Sequence, residues 1–509
     1  METTINPSRQ SSPRVSAWAA AVAAAATAIG LAGCVNYAGI NSDQQIASAA
    51  QYETKHSLPA EGGQWPALDW AAQFGDPQLP ALIEEALQGN PTIEQARARI
   101  EKATSYVGTS KAALYPNVTG SYAYTRQRFT ENALVPPPYN GTWQSENTVL
   151  ASASWDLDLW GKNRERLRQA VSQEKVADAE AEEVRISLAA TVASTYNHLA
   201  QLYALREIQV REVKNREDIG HITDGRVAAG LDTNVERQTA YGETATSRSS
   251  VSDLDGQITT VRYQLGALLG AGPDRGLTIA KPSLGQGASV ALPDNLPADL
   301  LSRRPDVVAA YWQVDAATHD VKEAKAEFFP DVNLSAAAGL DAFGWGRFLT
   351  AGSRQMQLAP AIHLPIFDAG ALRAQLKGRY ADFDYDVATY NQTLINALSD
   401  VATQVTQIHS TDRQLVDARD ALDAQTKAYQ LALVRYKSGL TQQLTVLNAD
   451  DNRLAADTAV VNLEMNRRSQ QIGLIKALGG GFDASRAGLA ATAQTPIPAP
   501  TDAAMPRAD

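Results

Sequence analysis

The sequence predicts a mainly helical protein that carries a small set of membrane-spanning strands, and three observations lead to this fold class. Two proline-free spans, residues 162–229 and 371–438, each hold one very long helical pattern. Four short segments alternate apolar and polar residues, which is the pattern of strands with one apolar and one polar face. The same order of segments occurs in both halves of the chain. The protein is therefore predicted to contain two tandem helix–strand–strand–helix repeats.

Composition narrows the classes of protein to which the chain can belong. It has 509 residues, 45 Lys and Arg against 56 Asp and Glu, a net charge of −11 and one cysteine. A single cysteine excludes a disulfide framework and a Cys-rich metal site, and the acidic balance argues against a nucleic-acid partner. No run of eighteen apolar residues follows residue 33, so we expect any membrane crossing to use strands rather than helices.

The N-terminus has the layout of a secretory signal. Arg9 and Arg14 precede an apolar run over 17–31, and small residues lead to Gly33 and Cys34. The ending Leu-Ala-Gly-Cys resembles the lipobox of bacterial lipoproteins. That resemblance implies cleavage between Gly33 and Cys34, with S-diacylglycerol and N-palmitoyl groups on Cys34, and the alternative is an ordinary signal with a chance cysteine. Val35, rather than an Asp, favours the outer membrane.

Repeated anchor sequences divide the chain. Asn90-Pro91 and Arg304-Pro305 open equivalent helices, residues 226–231 match 435–440, and residues 268–270 match 477–479. Three anchors in one order make chance similarity a poor explanation. The predicted segments are a lipoprotein signal peptide (1–33), an acylated N-terminal segment (34–89), a first repeat (90–270), a linker (271–303), a second repeat (304–479) and a disordered C-terminal tail (480–509).

The two long helical patterns predict coiled-coil hairpins. In the second pattern apolar residues recur every seven positions from Leu394 to Tyr436, which gives one continuous apolar seam. At 1.5 Å per residue each helix would be about 100 Å long. Gly230 and Gly439 are predicted to end these helices, because glycine readily adopts the left-handed conformation at a helix C-terminus. Further helices are predicted over 233–269 and 442–478.

Strands are predicted over 118–124, 149–159, 332–340 and 356–367. Each has one apolar and one polar face, which fits a membrane β-barrel with lipid outside and water inside. The alternative is a half-buried soluble sheet. Four strands are too few to close a pore, and every backbone group in lipid needs a partner, so several chains are expected to share one barrel.

Together these features resemble the outer-membrane efflux protein family, and specifically the lipoprotein branch of the TolC-like multidrug efflux channels. The resemblance rests on the lipobox, the duplicated unit, the Tyr-Pro-Asn-Val and Phe-Pro-Asp-Val junctions at 115–118 and 329–332, and the Gly-Leu turns. It implies a homotrimer in which each chain gives four strands to a 12-stranded barrel and its long hairpins to a periplasmic α-barrel. The implied partners are a periplasmic adaptor (membrane fusion protein), an inner-membrane transporter of the RND or MFS type, and outer-membrane lipid.

The resemblance also implies a gate just beyond the hairpin turns. In the family a carboxylate six residues after the first glycine pairs with a tyrosine three residues before the second, which here are Glu236 and Tyr436. An arginine that often follows the second glycine is replaced by Thr441. The inward aspartates of the family correspond to Thr445 and Asn448, so an acidic ring is expected to be absent or displaced.

Signals for other functions are weak. The sequence has no His-Glu-x-x-His, P-loop or Gly-x-Ser-x-Gly motif, so we expect neither an enzyme nor a metal site nor a cofactor. The predicted function is an outer-membrane exit duct that passively exports drugs and other toxic small molecules from a tripartite pump. Two alternatives remain, a channel for type I protein secretion and a periplasmic coiled-coil adaptor or structural lipoprotein.

Overall fold

The computed structural model describes residues 36–48, 51–54, 56–59, 62–132, 135–285, 292–293 and 296–490. The predicted signal peptide, its cleavage site at Gly33 and the lipidation site at Cys34 lie outside these residues.

The same order of elements occurs twice along the chain. The first copy has α1 (Gln78–Gly89), α2 (Pro91–Ala112), β1 (Asn117–Arg128), β2 (Trp143–Asp156), α3 (Lys162–Ala228) and α4 (Asn234–Leu268). Two short helices follow, α5 (Pro273–Leu277) and α6 (Leu296–Arg303), so the predicted linker is partly helical. The second copy has α7 (Pro305–Ala326), β3 (Asp331–Phe343), β4 (Arg354–His363), α8 (Ala371–Lys437) and α9 (Gln443–Ala477).

The long helices end where glycine was predicted to end them. Helices α3 and α8 each contain 67 residues, about 100 Å at the helical rise. Gly230 and Gly439 have φ angles of +71° and +74°. The amides of Leu231 and Leu440 each donate to a carbonyl five residues back, at 2.9 Å, which is the Schellman pattern of a helix C-terminus. Each chain therefore forms two helical hairpins, α3–α4 and α8–α9.

The hairpins pack side by side. Helix α3 contacts α4 within its own hairpin and also α7 and α9 from the second copy, and α7 in turn packs on α8. Apolar residues on these faces form several core clusters, of which the largest joins α1, α3 and α4 and includes Ile472 and Ile475 of α9. Among the described residues, no helix is both long enough and apolar enough to cross a membrane.

Two glycines join the end of each copy to its beginning. Gly270 and Gly479 occupy equivalent positions, and both have positive φ angles, +72° and +88°. A Cβ atom on Gly270 would overlap the carbonyl oxygen of Gly89, and one on Gly479 would overlap that of Arg303. These backbone contacts hold the end of α4 against the start of α2, and the end of α9 against the start of α7.

The four strands form one antiparallel sheet in the order β1-β2-β3-β4. The register places apolar residues opposite one another across all four strands: Val118 pairs with Ala153, Ala153 with Ala336, and Ala336 with Leu358. The adjacent row, on the other face, holds Thr119, Ser152, Ala337 and Gln357. The predicted alternation is thus confirmed as one apolar and one largely polar face, with β1 and β4 as the two edges of the sheet.

An N-terminal strap, residues 36–47, runs along α8. The guanidinium of Arg373, in the first turn of α8 and close to the end of β4, donates to the carbonyl oxygens of Asn36 and Ala38. Further along α8, Asp384 accepts a hydrogen bond from Ser42, and Asn391 accepts one from the amide of Ala47 at 2.8 Å. The strap therefore starts beside the sheet and extends away from it.

The prediction of a disordered tail from residue 480 is wrong for its first part. Phe482, Ala484 and Leu489 are buried against α3 and α7. The indole nitrogen of Trp312 donates to the carbonyl oxygen of Leu489 at 3.0 Å. An Ala- and Pro-rich composition suggested disorder, but three apolar side chains pack this segment against the helices. Residues 491–509 lie outside the described part of the chain.

Candidate functional site at the hairpin tips

The tips of the two hairpins are joined by a buried tyrosine. Tyr436, in the last turn of α8, is fully buried. Its hydroxyl donates to Asp232 Oδ2 at 2.8 Å and lies 3.0 Å from Thr223 Oγ1. Asp232 belongs to the loop after Gly230 and Thr223 to the last turns of α3. The tyrosine therefore connects the second hairpin to both the helix and the loop of the first.

Arg226 completes this contact. Its guanidinium donates to both carboxylate oxygens of Asp232, at 2.7 and 3.0 Å, and to the backbone oxygen of Tyr436 at 3.1 Å. It also lies over the Tyr436 ring, 4.6 Å from the centroid, in a cation–π arrangement. Hydrogen bonds from Arg226 and then Tyr436 lower the pKa of Asp232. This carboxylate is consequently ionised throughout the neutral range.

A glutamine and an apolar floor support these groups. Gln443, at the start of α9, is buried and donates to Thr223 Oγ1 at 2.9 Å and to the backbone oxygen of Glu236 at 3.1 Å. Beneath it Tyr436 packs in one cluster with Ile219, Ala432, Val446 and Leu447. We call the polar set Thr223, Arg226, Asp232, Tyr436 and Gln443 the tip layer.

The predicted pairing of Glu236 with Tyr436 is wrong within the chain. The Glu236 carboxylate accepts hydrogen bonds from the backbone amide of Thr233, at 2.8 Å, and from its hydroxyl. Thr233 in turn caps α4, so the two residues form a capping box. The partner of Tyr436 is Asp232, which precedes Glu236 by four residues. The capping box engages the Glu236 carboxylate at the start of α4, and this leaves Glu236 outside the tip layer.

The other predicted gate residues lie on the second hairpin. Thr441 donates to Thr445 across one helical turn at 3.1 Å, and both Thr445 and Asn448 are exposed. None of the three belongs to the tip layer. Thr441 occupies the position in the second copy that Asp232 occupies in the first, since both follow their glycine by two residues. The duplicated turns have therefore diverged, and only the first supplies a carboxylate.

Sequence reasoning missed a second polar layer deeper in the bundle. The ionic layer consists of Glu212 and Arg216 from α3 with Asp450 and Arg453 from α9, all four buried. Arg453 donates to Glu212 at 2.7 Å and to Asp450 at 2.8 and 3.0 Å, and Arg216 donates to Glu212 at 2.5 Å. The sequence did contain a signal for this layer. The three- and four-residue spacing of the apolar seam of α3 continues from Ile208 to Glu212 and Arg216, which places these charged residues on the buried face.

The architecture defines a class of protein. An amphipathic sheet lies at one end of two helices about 100 Å long, and polar contacts between the two hairpins lie at the far end. This arrangement is typical of the subunit of a membrane-spanning duct. Comparison with known proteins identifies the family within this class. The profile of the family described as "Outer membrane efflux protein" matches residues 82–271 and 296–480. The chain belongs to this family and is an outer-membrane efflux channel.

Individual relatives are similar to this chain over most of its length. Multidrug resistance outer membrane protein MdtP of Escherichia coli (strain K12) is 31% identical over 464 residues, covering 89% of this chain and 94% of MdtP. Fusaric acid resistance protein FusA of Burkholderia cepacia is 33% identical over 364 residues, covering 70% and 68% of the two chains. The crystal structure of VceC from Vibrio cholerae superposes with a TM-score of 0.78 at 32% identity, covering 82% of this chain and all of VceC.

Proposed function

We propose that three copies of this chain form the exit duct of a tripartite efflux pump for drugs and other toxic small molecules. An inner-membrane transporter and a periplasmic adaptor deliver the cargo, and the duct carries it passively across the outer membrane. The tip layer is the periplasmic gate, and a lipid on Cys34 anchors each chain to the outer membrane.

The observation that carries this proposal is the four-stranded sheet. Its apolar face extends across all four strands, and β1 and β4 each have a partner on one side only within the described chain. Strands facing lipid need hydrogen-bond partners on both sides. Edge-to-edge pairing with identical chains supplies those partners, and three copies give a closed set of twelve strands.

The start of the strap supports the lipid anchor. Asn36 is held by Arg373 at the end of α8 nearest the sheet. Two residues of extended chain span at most about 7 Å, so a lipid on Cys34 would begin close to the level at which the strands leave the membrane. Two or more acyl chains bind a bilayer stably, whereas one binds only marginally.

Accumulation of dyes and drugs in a deletion strain tests the export function. We expect raised accumulation of ethidium and other toxic compounds when the gene is deleted, and a return to the parental level when the gene is restored. Tyr436→Phe should still complement, since it alters the gate rather than the duct. Unchanged accumulation in a strain that also lacks its other efflux channels would contradict small-molecule export and favour protein secretion.

A second measurement separates the duct from a periplasmic adaptor. A duct should be recovered from the outer membrane as a trimer, and it should conduct ions when reconstituted into planar bilayers. A monomeric, non-conducting protein recovered from the periplasm would contradict the proposal whatever the accumulation assay showed.

A further inference from the structure

The ionic layer lies between the two hairpins, well above their tips. Arg216 precedes Gly230 by 14 residues, which is about 21 Å along the helix. Its contacts cross from the first hairpin to the second: Arg453 of α9 binds Glu212 of α3, and Arg216 of α3 binds Asp451 of α9. Any separation of the hairpins must therefore break this layer as well as the tip layer.

Two buried carboxyl groups lie on the same guanidinium nitrogens in the ionic layer. Glu212 and Asp450 are each fully inaccessible to solvent. Arg453 Nη2 lies 2.7 Å from Glu212 and 2.8 Å from Asp450, and Arg216 Nε lies 2.5 Å from Glu212 and 3.5 Å from Asp450 Oδ2. Two neighbouring carboxyls cannot hydrogen-bond to each other while both are ionised, because neither has a proton to donate. Apart from the ion pair with Arg216, Asp450 Oδ2 has no hydrogen-bond partner among the described residues. A proton held between the two carboxyls would supply that partner.

The charged groups around the pair come from three helices. Helix α3 contributes Arg216, α9 contributes Arg453 and the exposed Asp451, and α8 contributes the Tyr429 ring, which Arg453 covers at 5.3 Å. With Glu212 ionised, the two buried carboxylates balance the two buried arginines, and the charge of Asp451 is left over. With Glu212 protonated, Asp451 becomes the balancing charge for Arg216.

We propose that the ionic layer is a second, proton-dependent latch of the channel, in which a proton shared by Glu212 and Asp450 holds the two hairpins together. This inference rests on the channel function proposed above. Opening moves the hairpins apart and admits water to the layer, and the shared proton is then released. The tip layer closes the end of the duct, and the latch makes the opening of the helices above it depend on pH.

The direction of the pH dependence follows from the proton balance. In the closed arrangement, burial and then the hydrogen bond and charge of Asp450 raise the pKa of Glu212 to about 7. In water the pKa of a glutamate returns toward its ordinary value, so the closed state binds more protons than the open state between that value and 7. Protonation therefore favours closure. The ratio of open to closed channels should rise with pH across this window and level off above it.

Single-channel recording from the purified trimer in planar bilayers tests the latch. The Tyr436→Phe background is the best one for counting openings, because it weakens the tip layer without touching the ionic layer. We expect the open-to-closed ratio to be at least about tenfold higher at pH 8 than at pH 5. In Glu212→Gln, whose amide mimics the protonated acid, the ratio should stay low and change less than about twofold over the same range.

Two matched variants serve as controls. Glu217→Gln alters an exposed carboxylate of α3 that pairs with Arg248 inside the first hairpin. His319→Gln removes the histidine between α3 and α7. Burial lowers the pKa of His319, but hydrogen bonds that the ring donates to the carboxylates of Asp315 and Glu165 outweigh it and raise the pKa. Both variants should keep the pH profile of the parent channel.

Several outcomes would overturn the latch. They are a flat pH profile in the Tyr436→Phe channel, an undiminished profile in Glu212→Gln, or loss of the profile in His319→Gln. If Glu212→Gln fails to assemble, the pH profile of the Tyr436→Phe channel still tests the latch. A trimer that conducts at no pH would contradict the channel function itself, and the latch with it.

Discussion

The Tyr436 hydroxyl is one of several groups that connect the two hairpins at the tip. Tyr436 donates to Asp232, while the guanidinium of Arg226 binds the same carboxylate from the other side. Because Tyr436 is buried, its hydroxyl has no water to replace a lost protein partner. The tip layer thus depends on a side chain from each hairpin and on one loop carboxylate.

Replacing Tyr436 by phenylalanine tests this arrangement at the residue scale. The ring, its packing and the Arg226 contact remain, but the hydrogen bond to Asp232 is lost, which should weaken the tip by about 1–2 kcal/mol. Mean conductance in planar bilayers should therefore rise at neutral pH. Glu236→Gln is the matched control, because Glu236 caps α4 and does not contact the tyrosine side chain. Equal conductance gains in both variants would contradict the assignment of Asp232.

Residue-level assignments were the part least accessible from the sequence. Glu236 and Tyr436 stand at the family spacing, and that spacing suggested a pair. The loop conformation after Gly230 instead turns Asp232 toward Tyr436, and the capping box engages Glu236. Both effects depend on dihedral angles of a few loop residues, which no periodic pattern records. The ionic layer was missed for another reason, since charged residues on an apolar seam look like an interruption of it.

Elements were more predictable because their signals are local. Helix α3 was predicted over 162–229 and observed over Lys162–Ala228, since heptad spacing and a terminal glycine fix both its course and its end. Strand β1 was predicted only to Tyr124 but extends to Arg128. Residues 125–128 are polar and carry no alternation, yet their backbone pairs with β2 out to Trp143. Ladder hydrogen bonds, rather than apolar patterning, extend the strand.

At the element scale, a prediction concerns the joints, by which we mean the close backbone contacts of Gly270 with Gly89 and of Gly479 with Arg303. Gly270→Ala and Gly479→Ala should each destabilise the protein by more than about 1 kcal/mol, because alanine is strained at positive φ and its Cβ would overlap a backbone carbonyl. Thermal unfolding of the purified trimer measures the effect. Gly108→Ala is the control: Gly108 lies inside α2 with open space around it, and alanine there should be neutral or stabilising by up to about 1 kcal/mol. Similar melting temperatures for all three variants would contradict the role of the joints.

At the scale of the whole molecule, the segment after α9 closes the fold between the two copies. Phe482 and Leu489 pack with Val176 and Ile186 of α3 and with Trp312 of α7. Truncation after Gly480 should therefore lower the melting temperature by several degrees, since about 2–4 kcal/mol of apolar burial is removed. Truncation after Ala490 keeps these contacts and is the matched control. Equal stability of the two truncated proteins would show that this segment adds nothing to the fold.

The proposed lipid anchor and the sheet would attach the protein to the membrane independently, and Cys34→Ala separates their contributions. The variant should lose its acyl groups, seen as loss of labelling by an alkyne analogue of palmitate. It should nevertheless assemble. The strap remains bound to α8 through Arg373, Asp384 and Asn391, and burial of the apolar face of the sheet in lipid remains favourable. Fractionation and native gels should then show trimers in the outer membrane, with export reduced less than by deletion of the gene. An unfolded or monomeric Cys34→Ala protein would mean that the lipid acts during assembly, by bringing the strands to the bilayer before the sheets of three chains can pair.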